Sequence, residues 1–313
     1  MYPDGTNFPN GIRLAGVKVS ATATELSNLG SATGAGEAYY VDGNNGVDTN
    51  DGRTWDTAFK TMAVAFTASN ANISAGAKGW AARNRIYVKS DNAEASKETF
   101  ITLPNKCDII GVGSYDHRPY PVFIGNHVIG AGAYVGTRFI NVGFRSLAAG
   151  GVIMTVPTTT SGLAFIGCHF DGRTTTPATK AIVATAVEQF SIIGCNFIGK
   201  YSTTTIELGT GATRNLRILD NIIESGAIGI TVSSTLTCAD AVGFIVDNVF
   251  SVVTLVVDEN SDKLVVGGNR GTTSANGQVV NTMDYNDNLS YDNIIAHSAG
   301  VSQYPVLITI PSA

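Results

Sequence analysis

The chain has 313 residues, 44% hydrophobic and 14% charged, with 35 glycines, a balance that excludes global disorder and suits many short strands joined by tight turns. Its 20 basic and 25 acidic residues give a net charge of −5 and form no basic stripe, which argues against nucleic acid as a partner. No apolar run reaches the roughly 18 residues that span a bilayer, and the opening Met1-Tyr2-Pro3-Asp4-Gly5 lacks the charged and apolar regions of a signal peptide, so neither membrane insertion nor secretion by that route is expected.

Residues 1–37 are polar and rich in Gly, Ala, Ser and Thr. They hold too little apolar surface to fold alone and would gain order by lying against a partner. The segment is therefore expected to be an anchoring arm, with Phe8, Pro9, Leu14, Val17 and Leu26 as its contact residues. Asp42, Asp48 and Asp51 follow among glycines and asparagines and are weak calcium candidates. Their spacing misses the D-x-[DN]-x-[DN]-G-x₅-E loop, and a turn-rich entry to the next element is the simpler reading.

From Thr54 to Ala68 the apolar residues Trp55, Phe59, Met62 and Phe66 fall at i, i+4, i+7 and i+11. That spacing predicts an amphipathic helix with Thr54 as its N-cap, plugging the end of whatever follows. Arg85–Lys89 reads as a first core strand, with Cys107–Gly111 and Pro121–Gly125 after it. Between them Tyr115, His117, Arg118 and Tyr120 cluster in a loop and are candidates for contact with a glycan or a partner.

Five pentapeptides then superpose: Ile140–Phe144, Ile166–Phe170, Ile193–Phe197, Leu219–Ile223 and Val246–Phe250, at offsets of 26, 27, 26 and 27 residues. Their first, third and fifth positions are mostly apolar, so each is read as a strand with one buried face. A second apolar series, around Met154, Ile182, Ile206, Ile230 and Leu255, fills the gaps. Two or more short strands per repeat of this length predict one coil of a solenoid, about seven coils in all. Parallel stacking would put Phe144, Phe170, Phe197, Ile223 and Phe250 in one internal column and Asn221 under Asn248 at a bend. The strong preference for right-handed crossovers sets the hand. Cys168 and Cys195 share a repeat position and are expected to be small buried core residues.

Tyr39–Gly52 with Thr54-Trp55 and Ala58-Phe59-Lys60-Thr61 resembles the entry segment of the pectate-lyase-like β-helix superfamily, and the Ile-x-Gly-Cys-x-Phe coils resemble the same superfamily. Phe8-Pro9-Asn10-Gly11 and Val19–Leu26 resemble short elements near the ends of tailed-phage capsid, decoration and fibre proteins. Together these resemblances imply an all-β, right-handed parallel β-helix over residues 38–280, a capping helix at 54–68, the arm at 1–37 and a loop and strand at 281–313. The last segment, Tyr304–Pro311, would fold back or pair with a neighbour. The implied role is a structural virion protein, a capsid decoration, head-fibre or spike subunit assembled in the host cytoplasm and displayed on the virion surface. Its partners would be capsid proteins through the arm, sister subunits in a trimer and a host surface glycan; no cofactor is expected.

The competing reading is a tailspike-like domain that binds or degrades polysaccharide. Asp220 and Asp247 share a slot one coil apart, which would place their carboxyl groups about 5 Å apart, the separation of a retaining glycosidase. The same residues precede stacked asparagines, where Asp-Asn serves turn chemistry. His169 falls in the outer slot between Cys168 and Phe170, and the sequence shows no second ligand residue at metal-ligand spacing from it.

Overall fold

The computed structural model describes residues 35–273 with breaks at 75–81, 90–97, 114–119, 147–149, 173–176, 225, 234–235, 239–242, 253–254 and 259–263, together with 13–14, 17–18, 289–291 and 294–297. Three parallel sheets of ten, eight and six strands form the body. The first runs from Ala35–Val41 to Leu289–Tyr291, the second from Val122–Ile124 to Ile294–His297, and the third from His127–Val128 to Leu255–Asp258. The chain visits them in turn, so every strand pairs with its counterpart one coil away. This is the parallel β-solenoid that the repeat predicts. Among the described residues six coils place a strand in all three sheets, and the first sheet gains further rungs at both ends. The stack continues past residue 280 through Leu289–Tyr291 and Ile294–His297.

The expected columns form in register. Phe123, Phe144, Phe170, Phe197, Ile223 and Phe250 pair in succession, and all are buried. Phe144 stacks on Phe170 at 5.1 Å and Phe170 on Phe197 at 4.7 Å. Met154, Ile182, Ile206 and Ile230 pair likewise; the series then passes to Val257, while Leu255 pairs with Ile228.

The five pentapeptides are not single strands. Each is the end of a first-sheet strand, a corner and the start of a second-sheet strand, as in Thr137–Ile140 followed by Gly143–Arg145. The corner residue is left-handed in every coil: Asn141 (φ 53°), Gly167 (59°), Gly194 (62°), Asp220 (56°) and Asp247 (57°). Glycine, asparagine and aspartate occupy this slot because they tolerate that conformation at least cost. The corner breaks the alternation, so the inward residues of the first sheet are Phe139, Phe165, Ile192, Ile218 and Ile245, while Ile140, Ile166, Ile193 and Leu219 are only half-buried and Val246, the fifth of that row, is buried.

The next residue points inward and ties the coils together. Asn221 accepts the Cys195 N–H at 2.8 Å and donates to the Ile192 carbonyl at 2.9 Å and to Asn248 Oδ1 at 2.9 Å. Asn248 repeats this with Ile218 and Asn269, each at 3.0 Å. Lower in the stack Cys195 and Cys168 take the same place, their thiols donating to the carbonyls of Phe165 (3.4 Å) and Phe139 (3.3 Å). Both cysteines are buried, as expected.

The helix lies at Met62–Ser74, not 54–68. Phe59 is drawn into a parallel bridge with Val41, its N–H donating to the Tyr40 carbonyl, and a residue committed to a sheet edge cannot begin a helix. Thr54 is accordingly not the N-cap; it bonds to Thr57 within a turn. The helix start is instead held by two carboxylates. Asp48 accepts the N–H groups of Lys60 and Thr61, and Glu98 those of Met62 and Ala63. The helix packs Met62, Ala65 and Phe66 onto the N-terminal core, with Phe66 meeting Phe100 at 5.4 Å. Among the described residues no helix is long and apolar enough to cross a membrane.

Candidate functional site

The three aspartates of the entry segment do not converge. Asp42 holds the Lys89 ammonium at 2.8 Å and accepts the N–H groups of Asn44 and Asn45. Burial alone would raise its pKa, but these donors outweigh burial and keep the carboxyl below its ordinary range. Asp51 is held below its ordinary value by the Thr57 hydroxyl and the Arg53 N–H, and Asp48 caps the helix. Their oxygens serve turn and cap chemistry, and among the described residues no group of three or more His, Cys, Asp or Glu is placed to hold a metal ion.

Asp220 and Asp247 do lie in equivalent places one coil apart. Both are exposed at the left-handed corner between the first and second sheets. The Asp247 carboxylate folds toward the next corner, where a Cβ on Gly268 (φ 63°) would lie 2.1 Å from its Oδ1. Apolar outer residues flank the pair: Ile222 and Val249 are exposed beyond the corner and Phe244 before it.

Of the loop candidates, Tyr115, His117 and Arg118 lie outside the described residues, as do Phe8, Pro9 and Leu26 of the arm and the segment Tyr304–Pro311. Leu14 and Val17 pair across a two-stranded antiparallel ladder. Tyr120 is described and half-buried. Its ring covers Gly143 and stacks on the His169 imidazole at 5.0 Å, so a residue proposed for partner contact packs on the outer wall of the second sheet.

A different cluster forms a hollow on the outer face of the first sheet. Tyr40 and Tyr87 are in-register neighbours on the outer face of the first sheet, their rings stacked at 5.5 Å and 26°. Trp55, 42% exposed, stands against Tyr40 at 4.9 Å and 67°. These rings, with Lys89, Val112 and Gly113, line an open hollow of about 580 Å³. Further along the same face Arg138 grips the buried Asp108 through two bonds of 2.6 and 2.7 Å, and Arg83 joins at 2.9 Å.

The signal for this cluster was present in the alternation. With Tyr39, Val41, Ile86 and Val88 inward, Tyr40, Tyr87 and Lys89 must face out. Placing Trp55 on the buried face of a helix concealed the third ring.

No protein-family model and no curated protein matches the chain. Among solved structures it is similar to the pectin methyl esterase of the rice weevil, at 10% sequence identity and a TM-score of 0.39, over 90% of this chain and 97% of that one.

Proposed function

We propose that this chain is a structural attachment protein of a virion, a β-helical decoration, fibre or spike subunit that projects its outer faces from the particle and is held by residues 1–37. The observation that supports the reading is the unbroken ten-rung first sheet, which at about 4.8 Å per rung makes a rod roughly 43 Å long. Each rung pairs with the next through its backbone, the Phe column from Phe123 to Phe250 and the Asn ladder from Asn221 to Asn269 tie successive coils inside, and such a stack would resist bending and proteolysis. Its role would be mechanical and adhesive, and a closed trimer would shield the half-buried outer row of Ile140, Ile166, Ile193 and Leu219. Electron microscopy of purified particles labelled with antibody to the coils tests this. Regular labelling, lost when residues 1–37 are deleted, is expected; unlabelled particles would overturn it.

The second reading is a polysaccharide-degrading domain, favoured by the stacked, exposed Asp220 and Asp247. Reducing-sugar release that disappears in both Asp220→Asn and Asp247→Asn would select it.

A further inference from the structure

We infer that the hollow bounded by Tyr40, Trp55 and Tyr87 is a binding subsite for a neutral hexopyranose unit of a glycan. The inference deepens the adhesive reading above and names the class of ligand, and the site lies away from the Asp220/Asp247 corner.

Shape selects a small ligand. About 580 Å³ lies within the range of sites for small molecules, roughly 300–1,000 Å³. The stacked Tyr40 and Tyr87 rings make a floor, and Trp55 makes a wall at 67° to Tyr40. Such a corner accepts a compact chair-shaped ring with an apolar face, which the axial C–H groups of a pyranose supply.

The polar atoms select the charge. Among the described residues lining the hollow, Lys89 carries the charge, and it is already paired with Asp42 at 2.8 Å. The pair is neutral overall, so the site offers little net attraction to an anion. The ammonium keeps further donor hydrogens for hydroxyl or ring oxygens, and Asp42, with its own oxygens engaged by Asn44 and Asn45, fixes where that ammonium stands. Two of the three rings belong to paired strands whose neighbours are buried, so the floor is set before any ligand arrives.

Trp55 supplies a direct spectroscopic test, because the chain has only one other tryptophan, Trp80. In the full-length protein carrying Trp80→Phe, glucose, mannose and galactose tetraoses are titrated alongside a glucuronate tetraose, by calorimetry and by tryptophan emission. Saturable binding of at least one neutral tetraose with a shift in Trp55 emission is expected. Trp55→Ala and Tyr87→Ala should each weaken it at least tenfold, and Tyr87→Phe should leave it within about twofold, with coil content unchanged by circular dichroism. No neutral sugar bound, binding of the glucuronate alone, or neutral binding undiminished by both alanine variants would each overturn the assignment. Particle labelling by antibody is independent of these titrations: labelled particles whose protein binds no sugar would remove the subsite and leave the attachment role standing.

Discussion

His127 carries an ionisable group into an aromatic interior. Its Nδ1 accepts the Phe100 N–H at 3.0 Å, and its ring lies 4.8 Å from Phe100 and 5.5 Å from Phe144. Burial pushes its pKa down from 6.5 to about 4, because the cation would lose its hydration. Between those two values the unfolded chain binds the proton and the folded chain does not. The stabilisation from neutral His127 is therefore complete above pH 6.5 and is lost as pH falls toward 4, amounting to about 3 kcal/mol. Denaturant melts from pH 7 to 4 should show this loss in the native chain, and the difference curve against His127→Asn, which keeps an acceptor for Phe100 but does not titrate, should isolate it. Parallel slopes for the two proteins would refute the assignment.

Asn221 is a residue whose removal orphans several partners at once. Alanine there would strip the Cys195 N–H and the Ile192 carbonyl of their bonds and break the link to Asn248. Buried groups left unpaired cost about 1–3 kcal/mol each, so Asn221→Ala should destabilise by roughly 2–4 kcal/mol in a urea melt. Cys195→Asn, which extends the same ladder by one coil, should be neutral or stabilising.

At the scale of elements, the helix shows how a correct pattern can carry wrong limits. Met62 and Phe66 were legible as buried helix positions, but Trp55 and Phe59 satisfied the same spacing by coincidence. What ends the helix on its N-terminal side is Glu98, 36 residues away from Met62 in sequence, and no local signal announces a cap delivered from that distance. Asp48 is the nearer cap, accepting two N–H groups and the Thr61 hydroxyl. Asp48→Ala should cost about 1–2 kcal/mol, read as a lowered melting temperature with the coils still intact by circular dichroism; an unchanged melting temperature would leave Glu98 as the sufficient cap. The coils were legible for the opposite reason. Like residues stacked on like leave a period in the chain, and Phe144, Phe170 and Phe197 stand where that period puts them. The corner is the blind spot: a left-handed residue inside an apolar alternation looks like strand, so the pattern points Ile140, Ile166, Ile193 and Leu219 into the core where the structure leaves them half-buried, while Val246 in the same row is buried. The aromatic hollow escaped because its rings come from three separate segments.

For the whole molecule, the consequence of the solenoid is that stability is distributed rung by rung. Each coil touches only the coils beside it, so the free energy is close to a sum of intrinsic and nearest-neighbour terms. Phe170 sits near the middle of the internal column, buried and stacked on Phe144 below and Phe197 above. Phe170→Ala would remove both stacking contacts and leave a void, at about 3–5 kcal/mol. In a domain with one shared core that loss would lower protection everywhere. Here it should weaken chiefly the coil containing Phe170 and its two neighbours, because the pairings above Phe250 and below Phe123 are untouched. Hydrogen exchange followed by mass spectrometry reads the difference directly: peptides covering residues 137–198 should exchange faster in the variant, while those covering 35–59 and 264–273 keep native rates. A uniform rise along the whole chain would mean that the coils melt as one unit, and the picture of a rod stiffened by independent neighbour contacts would have to be abandoned.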